Sequence, residues 1–279
     1  MAGAAKLAAE RGVSTLELIF YRNLFSMPVI LLWVACGPGF AIIRTKRPLA
    51  HLSRAGIGLI SMFLNFQALV MLPLAEATTI GFAAPLFATI LSVVLLGEAV
   101  GRHRWAAVAV GFIGVVIVMQ PGTSSLPPDG LLVAIFSALG VAAVVITIRQ
   151  IGTTEHPATI VFWFNVASLA VVSIPMPVVA QAHDPEVWGV LAIMGILGGT
   201  AQIAMTSSLR HAPVAVLAPF DYLQLLWASA IGWLLWSKSP SLATLAGGIL
   251  IAASGIYTGY REHRLHRREL AAVSTPPTA

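Results

Sequence analysis

Leu18-Ile-Phe-Tyr-Arg-Asn-Leu-Phe-Ser26 and Ile160-Val-Phe-Trp-Phe-Asn-Val-Ala-Ser168 stand 142 residues apart and read as one pattern written twice. Phe20 falls on Phe162, Asn23 on Asn165 and Ser26 on Ser168. Two further matches keep almost the same spacing. At 140 residues, Leu69, Pro73 and Ala75 meet Leu209, Pro213 and Ala215; at 141, Gly114 meets Gly255. Three nearly equal offsets in chain order mark an internal repeat, and a repeat constrains the architecture before any single residue is assigned.

Composition decides the solvent. The chain has 279 residues, 58% of them hydrophobic and 10% charged, where an average soluble domain carries about 25% charged residues. Its mean hydropathy is +0.88. So few charges exclude a soluble globular domain, and so much apolar residue excludes a disordered chain. A bilayer span takes about 20 mostly apolar residues. Nine such stretches run over 14–36, 55–72, 76–96, 105–120, 130–150, 157–180, 186–208, 213–236 and 242–260. We number them spans 2 to 10. Span 6, projected back by the repeat offset, falls largely before Met1, so the first half lacks most of its first helix and keeps its exit around Lys6. A protein of nine spans is the other reading. The segment Met1–Arg11 has no apolar core of a signal peptide.

The basic residues sort by side. Arg44, Lys46, Arg47 and Arg54 follow span 2, and Arg102 and Arg104 follow span 4. Arg149 and Arg210 follow spans 6 and 8, and Arg261, Arg264, Arg267 and Arg268 follow span 10. Lys238 is the only base in the opposite loops, although Lys6 and Arg11 fall near that face. The bias of loop bases places the tail in the cytoplasm and makes the net charge of +5 a topology signal, with no nucleic acid implied. An odd number of spans per half inverts the halves. The expected fold is therefore an all-α polytopic membrane protein of two inverted five-helix repeats. Residues 1–121 form the first repeat, 129–260 the second and 261–279 a cytoplasmic tail. Inverted repeats are the architecture of many secondary transporters, with the site near the midplane between the halves.

Arg-Asn-Leu-Phe (22–25), Leu-Pro-Leu-Ala-Glu-Ala (72–77), Ala-Pro-Leu-Phe (84–87), Leu-Leu-Gly-Glu (95–98) and Gly-Gly-Ile-Leu-Ile-Ala-Ala-Ser-Gly (247–255) resemble the EamA-type branch of the drug/metabolite transporter superfamily. The resemblance implies ten helices in two inverted repeats that move small metabolites by alternating access in the inner membrane. Phe-Asp-Tyr-Leu-Gln-Leu-Leu-Trp (220–227) is similar to members linked to vitamin or nucleoside-type metabolites, riboflavin and S-adenosylmethionine among them. The family's Gly-Glu at the end of span 9 is Ser237-Lys238 here.

Charge inside spans points to mechanism, because it is costly there and tends to be retained for function. Asp221 lies eight residues into span 9, with Gln224 on its face and Tyr222 and Trp227 beside it. It is a substrate or proton site, or else a hydrogen-bonding partner of another helix. Arg22, equally deep in span 2, pairs with Asp221 or a substrate anion, or reaches a carbonyl. Glu17, nearer the outer end, is expected to be solvated. Asn65 and Gln67 in span 3 and Asn165 in span 7 line a cavity or bond between helices, as do Gln202, Thr206 and Ser207 in span 8. Trp163 and Trp227 offer faces for a planar ring. Glu76, at the outer mouth, is a second proton-coupling candidate beside Asp221, whereas Glu98 is expected to bridge to Arg102 or Arg104. The substrate set is thus Arg22, Asn65, Gln67, Asn165, Asp221, Tyr222, Gln224 and Trp227.

Pro85 and Pro219 are expected to kink spans 4 and 9. Gly111-x-x-Gly114 and Gly255-x-x-x-Gly259 allow close helix packing, within the fold or at a homodimer face. Cys36 stands alone, no histidine pair has metal-ligand spacing, and nucleotide, hydrolase and zinc-protease motifs are missing. No cofactor, no metal and no enzymatic activity are expected. The partners are a small-molecule metabolite and the lipid bilayer. A non-transporting fragment or membrane scaffold with the same fold is the alternative to a transporter.

Overall fold

Ser14 opens the first long helix. Its hydroxyl accepts from the Glu17 amide, and the Glu17 carboxylate accepts from the Ser14 amide, a reciprocal cap that satisfies donors the helix start would otherwise leave free. Several later helices start instead on proline: Pro48, Pro128, Pro157 and Pro185 each occupy a first-turn position, where the missing N–H costs nothing. The computed structural model describes residues 1–97, 101–120, 126–211, 223–237 and 240–274. Asp221, Tyr222, Pro219, Pro213, Glu98 and Lys238 lie outside the described residues.

All regular elements among the described residues are helical. They are α1 (Ala2–Glu10), α2 (Thr15–Cys36), α3 (Pro48–Met71), α4 (Leu74–Gly81), α5 (Ala84–Leu96), α6 (Arg102–Met119), α7 (Pro128–Gly152), α8 (Pro157–Ser173), α9 (Met176–Val179), α10 (Pro185–His211), α11 (Leu223–Trp236) and α12 (Leu242–Ser274). A short 3-10 turn, Phe40–Ile43, links α2 to α3. Among the described residues six stretches are long and apolar enough to cross a membrane: α2, α3, α4 with α5, α7, α10 and the first part of α12. Shorter apolar helices cover Trp105–Met119, Pro157–Ser173 and Leu226–Trp236. Many large apolar side chains point outward, Leu32, Val94, Trp227 and Leu234 among them, as lipid solvation allows and water does not.

Two expectations about the spans change and one holds. The third span starts at Pro48 rather than 55, so Arg54, sorted above with the loop bases, is buried in α3 together with His51. The seventh span stops at Ser173, where Ile174-Pro175-Met-Pro177 interrupts it before the single turn of α9. Pro85 has the expected effect: the helix breaks between Gly81 and Ala84, and the Phe82 amide turns to Thr78 and Thr79. A proline lacks the N–H that would reach the carbonyl four residues back.

The broadest helix pairings are α3 with α7, α2 with α10 and α6 with α12. Glycines set the closest approaches. A Cβ on Gly114 would lie 2.7 Å from the Gly247 carbonyl oxygen, and one on Gly247 would lie 2.4 Å from that of Gly114. Gly195, Gly198 and Gly199 likewise let α10 lie on Arg22, Phe25 and Ser26 of α2. The close crossing of α6 thus uses Gly247 of α12.

Two loops strap the bundle ends, and the repeat relates their anchors. The 3-10 turn crosses the start of α8, where Thr159 donates to the Ile42 carbonyl at 2.6 Å and the Trp163 indole donates to Ile43 at 2.9 Å. At the other end the segment after α9 crosses the start of α2. There Glu17 accepts from the Gln181 amide and meets His183 Nε2, each at 2.9 Å, and Tyr21 meets Trp188 edge to face. Glu17 and Tyr21 are the positions that an offset of 142 places on Thr159 and Trp163. Glu17 is therefore fully buried, not solvated as its place near a helix end suggested.

Candidate substrate site

The polar residues of α2 gather midway along the helix. Asn23 and Asn165, matched by the repeat, touch: the Asn165 amide donates to Asn23 Oδ1 at 3.3 Å and also to the Ser26 hydroxyl. Both asparagines are buried, as are Ser26 and its repeat partner Ser168. The junction between the halves is thus polar at its centre, inside helices that are otherwise apolar.

Arg22 joins this junction from one side. Its Nη1 donates to Asn23 Oδ1 at 3.0 Å, and its Nη2 reaches the Gly198 carbonyl at 3.2 Å and Gln202 Oε1 at 3.4 Å. Gly198 makes the approach feasible, since a Cβ there would lie 2.9 Å from Arg22 Nε. Arg54 joins from the other side. Its guanidinium lies over the Phe164 ring, 4.4 Å from the centroid, and it is 2% exposed. Its Nε and Nη1 have no hydrogen-bond acceptor among the described residues. The two guanidinium groups are linked through α8: Phe164 lies under Arg54, and the next residue, Asn165, donates to the same Asn23 Oδ1 that Arg22 reaches. No carboxylate among the described residues forms an ion pair with either guanidinium. Each such charge costs roughly 2.5–3.5 kcal/mol at a helix centre on insertion scales.

The expected site residues divide. Arg22, Asn165 and Gln202 come together. Asn65 faces α7 instead and donates to the Ser137 hydroxyl at 3.3 Å. Gln67 accepts from Thr15 at 2.7 Å, near the start of α2. Glu76 is buried and accepts from the Thr244 hydroxyl of α12 at 3.1 Å, so it joins two helices at one end of the bundle. Gln224 and Trp227 are exposed on α11, Trp227 by 68%, and α11 packs chiefly on α4 and α1. Trp163 is held by the strap. Thr206 is buried four residues beyond Gln202.

Arg54, Asn23 and Ser26 are absent from the sequence-based set. Asn23 and Ser26 were visible as repeat matches, though their mutual contact was not. Arg54 carried a signal of its own: His51, Arg54, Gly58, Ser61 and Asn65 recur every three or four residues, which puts polar and small residues on one helix face. That face is the one buried, apart from the half-buried Asn65. Among the described residues no group of three metal-ligating side chains forms.

A multi-helix bundle with a polar centre at its repeat junction is a transporter architecture, and sequence comparison agrees with it. The model of the EamA-like transporter family matches residues 3–120 and again 129–259. The chain belongs to that family. It is 29% identical over 243 residues to the pseudopaline exporter CntI of Pseudomonas aeruginosa, which covers 86% of this chain and 84% of the relative. It is 28% identical over 256 residues to the S-adenosylmethionine uptake transporter of Rickettsia felis, covering 91% and 85%. It is also 28% identical over 250 residues to the riboflavin transporter of Rhizobium johnstonii, covering 89% and 80%. A crystal structure superposes with a TM-score of 0.69 at 19% identity, over 95% of this chain and 94% of the other, and shares the fold. The protein is a multi-pass membrane transporter.

Proposed function

We propose that the chain is a secondary transporter that carries a small metabolite across the bacterial inner membrane by alternating access, with its tail in the cytoplasm. The observation that carries this reading is the contact of Asn23 with Asn165. Two residues equivalent by the repeat meet at mid-helix, and Arg22 ties the same point to α10. In inverted-repeat transporters the substrate sits at that junction while one half rocks against the other. Residues 1–121 and 129–260 are the proposed moving halves. The two straps, anchored at Glu17 and at Thr159 with Trp163, would exchange as the halves move.

The relatives include an exporter and an uptake transporter, so the family leaves direction to each member. The riboflavin and S-adenosylmethionine relatives support a vitamin or nucleoside-type substrate. Arg22, Asn165 and Gln202 are the proposed contacts, with Asn65, Gln67, Tyr222, Gln224 and Trp227 along the path. Asp221 and Glu76 are the proposed proton-coupling groups.

The test is uptake into proteoliposomes of a metabolite panel at two proton gradients. Wild type is expected to move one member, and Arg22→Gln and Asp221→Asn to slow it at least tenfold. Asp221→Asn should also remove the dependence on the gradient. Uptake unchanged by Asp221→Asn removes that residue from the mechanism. Absence of flux with every compound overturns the transporter reading for this chain.

A further inference from the structure

We propose that Arg22 and Arg54 together bind an anionic group, a carboxylate, of the transported compound. This rests on the transporter reading and adds the chemical class of its substrate. A guanidinium does not give up its proton under any condition relevant to the cell, so two buried arginines remain two charges. Lysine or histidine in the same place would escape the cost by deprotonating. Around Arg22 the acceptors are neutral: Asn23, the Gly198 carbonyl and Gln202. Around Arg54 there is an aromatic face at 4.4 Å, and among the described residues its Nε and Nη1 have no acceptor.

The surroundings fit an arginine that is held in place and left unsaturated. Gly58, one turn on from Arg54, has no Cβ to displace it: a Cβ there would lie 2.0 Å from Arg54 Nη1 and 2.6 Å from the Phe164 ring. Phe164 lies against the guanidinium, whose buried Nε–H and Nη1–H have no acceptor among the described residues. An arginine edge binds a carboxylate through two parallel hydrogen bonds. Gly198 plays the same part for Arg22. On helix α8, Asn165 Oδ1 and Ser168 Oγ are buried and also lack partners among the described residues. They lie within one turn of each other and offer a neutral polar contact to the rest of a ligand. A structural arginine would be expected to end on a carboxylate or to saturate its donors on carbonyls.

An anionic lipid headgroup offers the same chemistry as a substrate carboxylate, so the experiment separates the two. Uptake is measured into phosphatidylcholine proteoliposomes for panel compounds paired as free acid and methyl ester. The transported member is expected to be a free acid, moved at least tenfold faster than its ester. Arg54→Gln and Arg22→Gln should each shrink that ratio to within about twofold, and Arg54→Lys should restore only part of it. In parallel, melting temperature is read in neutral detergent with citrate against chloride at equal ionic strength. Citrate is expected to raise it for wild type and for neither glutamine variant. Arg54→Gln without citrate should melt no lower than wild type, because it removes an unpaired charge.

Equal transport of acid and ester overturns the anion site and leaves the transporter reading standing. No transport of any compound falls on the transporter reading, and the citrate shift then decides the site: present and lost in both variants it holds, absent in wild type it fails. A shift produced by phosphatidylglycerol and not by citrate assigns the arginines to lipid and overturns the proposal. So does an Arg54→Gln protein that melts lower and shows the wild-type citrate shift.

Discussion

Glu17 shows how little a residue's place in the sequence says about its solvation. It lies three residues from the cap of α2, where a carboxylate normally meets water. Here it accepts from the amides of Ser14 and Gln181, from the Ser14 hydroxyl, and meets His183. Ser14 is a local cap, but Gln181 and His183 come from a segment more than 160 residues away in the chain, which no local pattern announces. Glu17→Ala should lower stability by about 2 kcal/mol, since it strands buried donors that cost roughly 1–3 kcal/mol each when unsatisfied. Glu17→Gln, which keeps one acceptor, should cost less, and thermal unfolding in detergent orders the two. The asparagine pair is the opposite case: the repeat offset linked Asn23 to Asn165 directly, and only the fact of contact needed the fold. A double-mutant cycle with Asn23→Ala and Asn165→Ala should give a coupling of about 0.5–1.5 kcal/mol, within the range of interhelical hydrogen bonds in membranes. Additive losses would show that the contact carries no energy of its own.

At the scale of elements, every apolar stretch marked by hydropathy contains helix among the described residues, because each is an apolar run bounded by proline, glycine or charge. It misplaced the start of α3. His51 and Arg54 look like loop residues by charge, yet Pro48 starts the helix before them; Arg54 lies over Phe164 of α8 and His51 faces Glu155 of the α7–α8 connection. The break at Pro85 was legible because it follows from one missing N–H, whereas pairing between helices was not. Gly114 was marked for close packing, but the sequence offered no reason to prefer Gly247 as its partner over Gly255. In the structure each lies against the other's carbonyl oxygen, backbone that has no rotamer to yield. Gly114→Val should therefore destabilise by about 1–3 kcal/mol, the usual cost of overpacking. Gly81→Ala, where a Cβ would meet nothing within 4 Å, is the control and should melt within about 2 °C of wild type. The midpoint of thermal aggregation in one detergent compares the two. If Gly114→Val melts with wild type, the α6–α12 crossing is looser than this geometry.

For the whole molecule the question is orientation, and the charge argument has to be made without Arg54. That residue lies buried under the junction rather than in a loop, so it does not sense the surface potential that sorts loop charges. The remaining bases near α2 are Arg44, Lys46 and Arg47, all between α2 and α3 in chain order. There Arg47 meets Thr154, and Thr45 and the Lys46 amide meet Glu155. The α7–α8 connection therefore lies at the same end of the bundle, as two inverted halves require. The loop bearing His183 and Asp184 straps the start of α2, at the other end. The bias of loop bases assigns the first end to the cytoplasm. The chain has one cysteine, Cys36, exposed at the end of α2 on the basic side, so it reports on orientation without further engineering. A membrane-impermeant maleimide should label Cys36 in inverted inner-membrane vesicles and leave it unlabelled in intact spheroplasts. In a Cys36→Ala background, Asp184→Cys, at an exposed position, should give the reverse. Labelling of both cysteines from the same side would contradict the antiparallel course of α2 and the strap. A full reversal would keep the fold and invert the assignment of its ends, and Glu76 would then face the cytoplasm as a proton-coupling candidate.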